Sequence, residues 1–283
     1  MAGEQDTSAY GEAIEELQKA RIKLIPENAY YIPEFITQHE EEQLLQKITS
    51  VPIPRWKYLS RRRLQSWPCA LSKSNTLLAS PLPQWLISPI VSRFTELEVF
   101  RNSPHKAPNH VLINEYLPGQ GIMRHEDGPA YYPVVATVSL GAPIVLEMSE
   151  KLVNRDHLQL EGSERTGASQ FRILQERRSL LVTTGRLYTD YLHGIDERLM
   201  DADLNPQTVC NWELLGDKEA FVTGSYERET RIRYHFPPVL HAFFTKIFHI
   251  PLLAIASRDT QINNDKYQSR QQRFVDKHSL RRG

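Results

Sequence analysis

The chain has 283 residues, with 34 basic and 34 acidic side chains and a formal net charge of +0. A neutral chain has no global field to drive it onto nucleic acid or an anionic membrane, so any nucleic-acid role must rest on a local patch. The length suits one core domain plus decorations; Cys69 and Cys210 stand far apart with no Cys-x-x-Cys or zinc spacing, which argues against a disulfide framework and fits a reducing compartment.

The N-terminus, MAGEQDTSAYGEAIEEL, carries acids where a signal peptide needs a basic and then an apolar segment, so cytoplasm and nucleus are the expected locations. Ile14, Leu17 and Ile22 have near-helical spacing, and Pro26 then stops the segment as a packing lead-in. Residues 29–35, AYYIPEF, read as a short strand. Thr37 is a plausible N-cap, with Glu40 completing a capping box before Leu44, Leu45 and Ile48, and this helix should pack on a sheet.

Residues 52–69 interleave Arg55, Lys57, Arg61, Arg62 and Arg63 with Trp56, Tyr58 and Trp67. Cations neutralise phosphates and aromatic faces stack bases, so this tract could be the local patch; taken alone, a solvated turn anchored by two tryptophans is the commoner outcome. Residues 70–83 read as loop and 83–97 as a helix interrupted near Pro89.

The stretch from Asn109 to Gly128 reads as strand, turn, strand. Period-two alternation puts Leu112, Asn114 and Tyr116 on one face and Val111, Ile113 and Glu115 on the other, with the turn at Leu117-Pro118-Gly119. His125 and Asp127 then leave the same face of an extended segment and can reach one point in space. Strands follow at 133–140 and 143–148, a polar insertion at 149–178, a strand at 179–184 leading to His193, a second polar insertion at 196–228, and a last strand at 230–236 closed by Pro237 and Pro238. The apolar stretch from Val239 to Ala256 is interrupted by His241, Lys246, His249 and Pro251, which makes it a poor membrane span. From Asp259 onward the chain is polar and basic, and disorder is expected.

A His-x-Asp tripeptide is common by chance, and a lone histidine such as His193 is more often a hydrogen-bonded core or surface residue than a ligand. Order and context raise the set. His125, Asp127 and His193 supply two imidazoles and a carboxylate, the facial triad of non-heme Fe(II) oxygenases, which leaves positions open for cosubstrate and dioxygen. Arg231 offers a planar cation to the far carboxylate of a keto acid.

Through YYIPEF, PRWKYLSRRRLQSW, LPQWL, NHVLINEYLPGQGIM, HEDGPAYYP and LHGI, the chain resembles the AlkB family of Fe(II)- and 2-oxoglutarate-dependent dioxygenases, closest to the branch called AlkB homologue six. The resemblance runs from about Tyr30 to Arg231. It implies iron ligands at His125, Asp127 and His193, and 2-oxoglutarate contacts at Asn114, Tyr116 and Arg231, with Arg233 on the same strand face. It also implies a nucleotide-recognition lid over the tract that holds Trp56, Arg61, Arg62, Arg63 and Trp67. One departure stands out: the family usually ends in Arg-x-x-x-x-x-Arg, and six residues after Arg231 this chain has Pro237.

The expected fold is therefore mainly β with flanking helices (α+β), on a double-stranded β-helix or jelly-roll core at 29–237, between a lead-in at 1–28 and an atypical tail at 238–283. The expected activity is oxidative demethylation of a nucleic acid with Fe(II), 2-oxoglutarate and O2, by a monomer that needs no membrane. A non-catalytic nucleic-acid or protein binding module on the same fold, or a protein hydroxylase, is the alternative.

Overall fold

The computed structural model describes residues 15–25, 28–151 and 170–240, and the backbone alone of Ala79 and 242–244. All of these lie within the unit Met1–Thr245. Pro26, most of the apolar stretch and the tail from Asp259 fall outside the described residues. No described helix is long and apolar enough to cross a membrane.

Among the described residues of the lead-in, 15–19 are helical, while Ile14 lies outside them. The chain then straightens: Arg21 bridges Tyr30, and the Ile22 N–H donates to the Ala29 carbonyl at 2.9 Å. Leu17 and Ile22 therefore do not share one helix face, and Ile22 is buried in a different apolar cluster from the one Leu17 touches. Strand β1 (Ala29–Ile32) stops before Pro33, which has no N–H for a ladder.

Helix α1 (Gln38–Thr49) starts as read. Thr37 Oγ1 accepts from the Glu40 N–H at 3.2 Å, and Glu40 Oε2 accepts from the Thr37 N–H at 2.8 Å. Leu44 and Ile48 are buried, each such burial stabilising by about 1.5–3 kcal/mol. Glu41, also buried, accepts from the Gly141 N–H at 2.8 Å and from Arg177 at 2.7 Å, which ties the helix to the sheet beneath it.

Residues 57–67 form a hairpin, β2 (Lys57–Leu59) and β3 (Arg62–Trp67), rather than a solvated turn. The stretch expected as loop contains β4 (Leu77–Ala79), and the helical segment 84–96 breaks at Ser88, ahead of Pro89, where φ −108° and ψ 129° are extended. Strands β5 (Val111–Tyr116), β6 (Ile122–His125), β7 (Val134–Leu140) and β8 (Ile144–Glu150) fall where their alternation and β-branched runs put them. The first expected insertion contains β9 (Gln170–Gln175), whose Ile173 and Leu174 are buried, while 152–169 are outside the described residues.

Strands β10 (Leu180–Thr184) and β11 (Tyr191–Ile195) follow. The second expected insertion is built rather than loose. In it β12 (Met200–Ala202) pairs with β13 (Ser225–Glu227), Leu204, Val209, Leu215 and Phe221 are buried, and Arg228 donates twice to Asp201 at 2.8 Å in a buried pair. Strand β14 (Arg231–Phe236) ends at Pro237 as its missing N–H requires, and β15 (Ala242–Phe244) pairs in parallel with β4.

The larger sheet runs β1-β10-β7-β14-β5-β3-β2 and the smaller β6-β11-β8-β9, each antiparallel throughout. This is a double-stranded β-helix. One face of the larger sheet, with Val138, Tyr234 and Phe236, packs on α1 and the 84–96 segment, and the opposite face meets the smaller sheet through Tyr31, Tyr116 and Leu181 against Leu146, Met148, Ile173 and Ile195. The polar groups of the site come from that second face.

Candidate metal and cosubstrate site

β6 and β11 are neighbours in the smaller sheet, with His125 directly opposite His193 and ring centroids 4.4 Å apart. A Cβ on Gly194 would meet the Arg124 N and the Ile122 carbonyl oxygen, each at 2.9 Å, so only glycine lets the two strands close enough to bring the imidazoles together. Asp127 stands two residues past His125, and its Oδ1 lies 3.8 Å from His193 Nε2. Among the described residues, ligand atoms of His125, Asp127 and His193 gather within 4.8 Å of one another.

Their protonation suits a divalent cation. His125 Nδ1 lies 2.8 Å from the Met123 carbonyl, which can only accept, so this nitrogen carries the proton and Nε2 keeps its lone pair. His193 Nε2 is buried without a hydrogen-bond partner, and burial pushes this imidazole down to about 3. Burial alone would raise Asp127, but His235, His193 and Arg233 hold it well below the usual carboxylate range. Two neutral imidazoles and one carboxylate fit Fe(II), by donor type and by number.

The inner face of the larger sheet supplies the other half. β14 lies between β5 and β7, with Arg231 opposite Tyr116, Arg233 opposite Asn114 and Ser139, and His235 opposite Leu112 and Thr137. Arg231 is 1% exposed, and its Nη2 donates to Ser139 Oγ at 2.8 Å and to Gln175 Oε1 at 2.9 Å. Its Nε and Nη1 have no partner, nor does the buried Tyr116 hydroxyl. Burial, then the neighbouring Arg233 charge, pushes the Arg231 pKa down. A buried cation with unpaired donors is costly unless an anion joins it, so these residues fit a carboxylate of the keto acid.

Arg233 Nη2 lies 3.1 Å from His235 Nδ1 and 3.5 Å from Thr137 Oγ1. Asp127, Thr137, Met148, His193, Arg233 and His235 all line one cavity of about 20 Å³, room for about one water. His235 was not among the residues expected from sequence, although the same alternation that pairs Arg231 with Arg233 carries to it.

The basic tract reaches this site, and each arginine has a partner within the protein. Arg61 pairs with Glu197 at 3.2 Å, four residues past His193. Arg62 Nε donates to Asn114 Oδ1 at 3.0 Å, inside the cosubstrate face. Arg63 grips Glu115 at 2.6 and 2.8 Å and stacks over Trp56 at 4.1 Å, which leaves that tryptophan buried. Trp67 lies under Arg55 at 3.7 Å and edge-on to Trp85. Of the cations and aromatic rings on the hairpin, Lys57, Tyr58 and Arg61 are exposed.

Residues 70–233 match the 2OG-Fe(II) oxygenase superfamily. The chain belongs to that superfamily. This oxygenase is 37% identical over 232 residues to a Danio rerio protein described as "Probable RNA/DNA demethylase ALKBH6", covering 80% of this chain and 93% of the relative, which bears out the AlkB resemblance. It is 26% identical over 191 residues to the Macaca fascicularis "tRNA (carboxymethyluridine(34)-5-O)-methyltransferase ALKBH8", covering 65% of this chain and 26% of that protein. Among solved structures, that of OsALKBH1 aligns with a TM-score of 0.42 at 13% identity, over 76% of this chain and 98% of that one. The superfamily uses Fe(II), 2-oxoglutarate and O2, and the triad of this oxygenase fits the iron.

Proposed function

We propose that this oxygenase oxidatively demethylates single-stranded nucleic acid. The observation that carries the reading is the attachment of the basic, aromatic hairpin to the site: Arg62 holds Asn114, and Arg61 holds the segment that follows the His193 strand. The name of the Danio rerio relative supports the same substrate class.

In this reading His125, Asp127 and His193 hold the metal, Arg231 and Tyr116 receive the far carboxylate of 2-oxoglutarate, and the Asn114 amide, oriented by Arg62, donates beside them. Bound there, Fe(II), 2-oxoglutarate and O2 supply oxidation of a substrate C–H bond, with the keto acid leaving as succinate and carbon dioxide. Lys57 and Arg61 face phosphates and Tyr58 stacks a base, a contribution of about 1 to 3 kcal/mol for an aromatic platform. Burial of Trp56 and the pairing of Arg63 with Glu115 make those two the support of the hairpin rather than its contact surface. The free cysteines fit work in the reducing cytoplasm and nucleus.

The test is affinity for single-stranded RNA and DNA across a salt series, together with formaldehyde release from N-methylated oligonucleotides. The triple variant Lys57→Ala, Tyr58→Ala, Arg61→Ala should bind more weakly, with a flatter salt slope, while succinate formation without substrate survives. Unchanged affinity and slope, or turnover stimulated by peptides and not by oligonucleotides, would refute the nucleic-acid reading in favour of a protein hydroxylase.

A further inference from the structure

β14 sends three side chains to its inner face at a period of two, and the third has no role in holding metal or keto acid. His235 is 3% exposed, and its two ring nitrogens meet opposite kinds of group. Nδ1 lies 3.1 Å from Arg233 Nη2. A guanidinium can only donate, so Nδ1 accepts and the ring proton sits on Nε2. Nε2 faces Asp127 Oδ2 at 3.3 Å, a close contact with the N–H off the hydrogen-bond axis. Oδ1 of the same carboxylate is the oxygen turned toward His193. The Asp127 carboxylate is thus divided, with one oxygen toward His193 and one toward His235.

We propose that His235 is a positioning residue for the metal centre, holding Asp127 Oδ2 so that the carboxylate offers the metal a single oxygen. The proposal rests on the reading of His125, Asp127 and His193 as that centre. A carboxylate with both oxygens free can bind one cation through either or both of them, whereas this site needs its remaining positions open for cosubstrate and dioxygen. Arg233 fixes the tautomer that makes the hold possible. Partners behind metal ligands orient them, and their loss typically lowers metal affinity 10- to 100-fold. The assignment also separates the two arginines: Arg233 serves His235 and Thr137, which leaves Arg231 as the cation for the keto acid.

The experiment titrates the full chain with Co(II), following its visible d–d absorption, and compares two variants of similar bulk. His235→Leu fills the space without a donor, and His235→Gln fills it with one. The Leu variant should bind Co(II) 10- to 100-fold more weakly than wild type with an altered d–d band, while the Gln variant stays within a few-fold, both retaining the wild-type circular dichroism. Wild-type affinity and spectrum in the Leu variant would overturn the proposal, as would equal losses in both variants. Asp127→Ala is the control for the underlying reading: wild-type Co(II) affinity there would sink the metal centre itself, and weak binding there beside an unaffected Leu variant would sink only the role of His235.

Discussion

Replacing Arg231 by Met tests how the keto acid is held, because Met keeps much of the volume and removes only the charge and its donors. Arg231 has two buried nitrogens without a partner, Nε and Nη1, whereas Arg233 has only Nε. A lost hydrogen bond to a charged group costs about 1.5 to 3 kcal/mol, and roughly 1.4 kcal/mol corresponds to tenfold, so 2-oxoglutarate should bind Arg231→Met about 10- to 150-fold more weakly. Arg233→Met should lose only a few-fold, since that guanidinium already faces His235 and Thr137. Stability adds a second arm. In the ligand-free protein a buried, half-partnered guanidinium is a burden, so Arg231→Met should unfold at a temperature close to or above wild type, despite the donor lost to Ser139 and Gln175. Calorimetric titration of 2-oxoglutarate into Mn(II)-loaded protein measures the first arm, and scanning calorimetry without ligand the second. A larger affinity loss in Arg233→Met than in Arg231→Met would refute the assignment.

Gly194→Ala should lower metal affinity at least tenfold while sparing most of the fold, because the new Cβ meets backbone atoms of β6 at 2.9 Å and must push His125 away from His193; Co(II) titration and circular dichroism check it. His110 is buried and pushed down to about 4, chiefly by burial. Its folded pKa lies below the ordinary value, so the unfolded chain binds more protons between the two and stability falls as pH drops from about 6.5 toward about 4. The loss amounts to roughly 3 kcal/mol at about 1.36 kcal/mol per pH unit, and urea unfolding of His110→Gln over this range should show a correspondingly shallower fall.

What was legible in the sequence was what local periodicity controls. The capping box at Thr37 and Glu40, the alternation of Leu112, Asn114 and Tyr116, and the pairing of His125 with Asp127 needed only spacing, and each stands in the structure as read. What was not legible depends on partners distant in sequence. The arginines of the hairpin looked solvated because Glu115, Asn114 and Glu197, which hold them, lie more than fifty residues away. Residues 196–228 looked like loose insertion because their order comes from a buried ion pair, Arg228 with Asp201, and from apolar residues scattered among polar ones. β9 was absorbed into an insertion because its fully buried residues, Ile173, Leu174 and Gln175, are consecutive rather than alternating, and one of them is polar. His235 was legible in principle from the parity it shares with Arg231 and Arg233.

The central claim is that His125, Asp127 and His193 make this chain a working oxygenase, and its most direct test is succinate formation from 2-oxoglutarate with Fe(II) added and withheld. The wild type should form succinate only with Fe(II) and O2 present, and His125→Ala, Asp127→Ala and His193→Ala should each fall to background while keeping the wild-type circular dichroism. Iron-independent succinate, or wild-type turnover in any one of the three variants, would contradict the account.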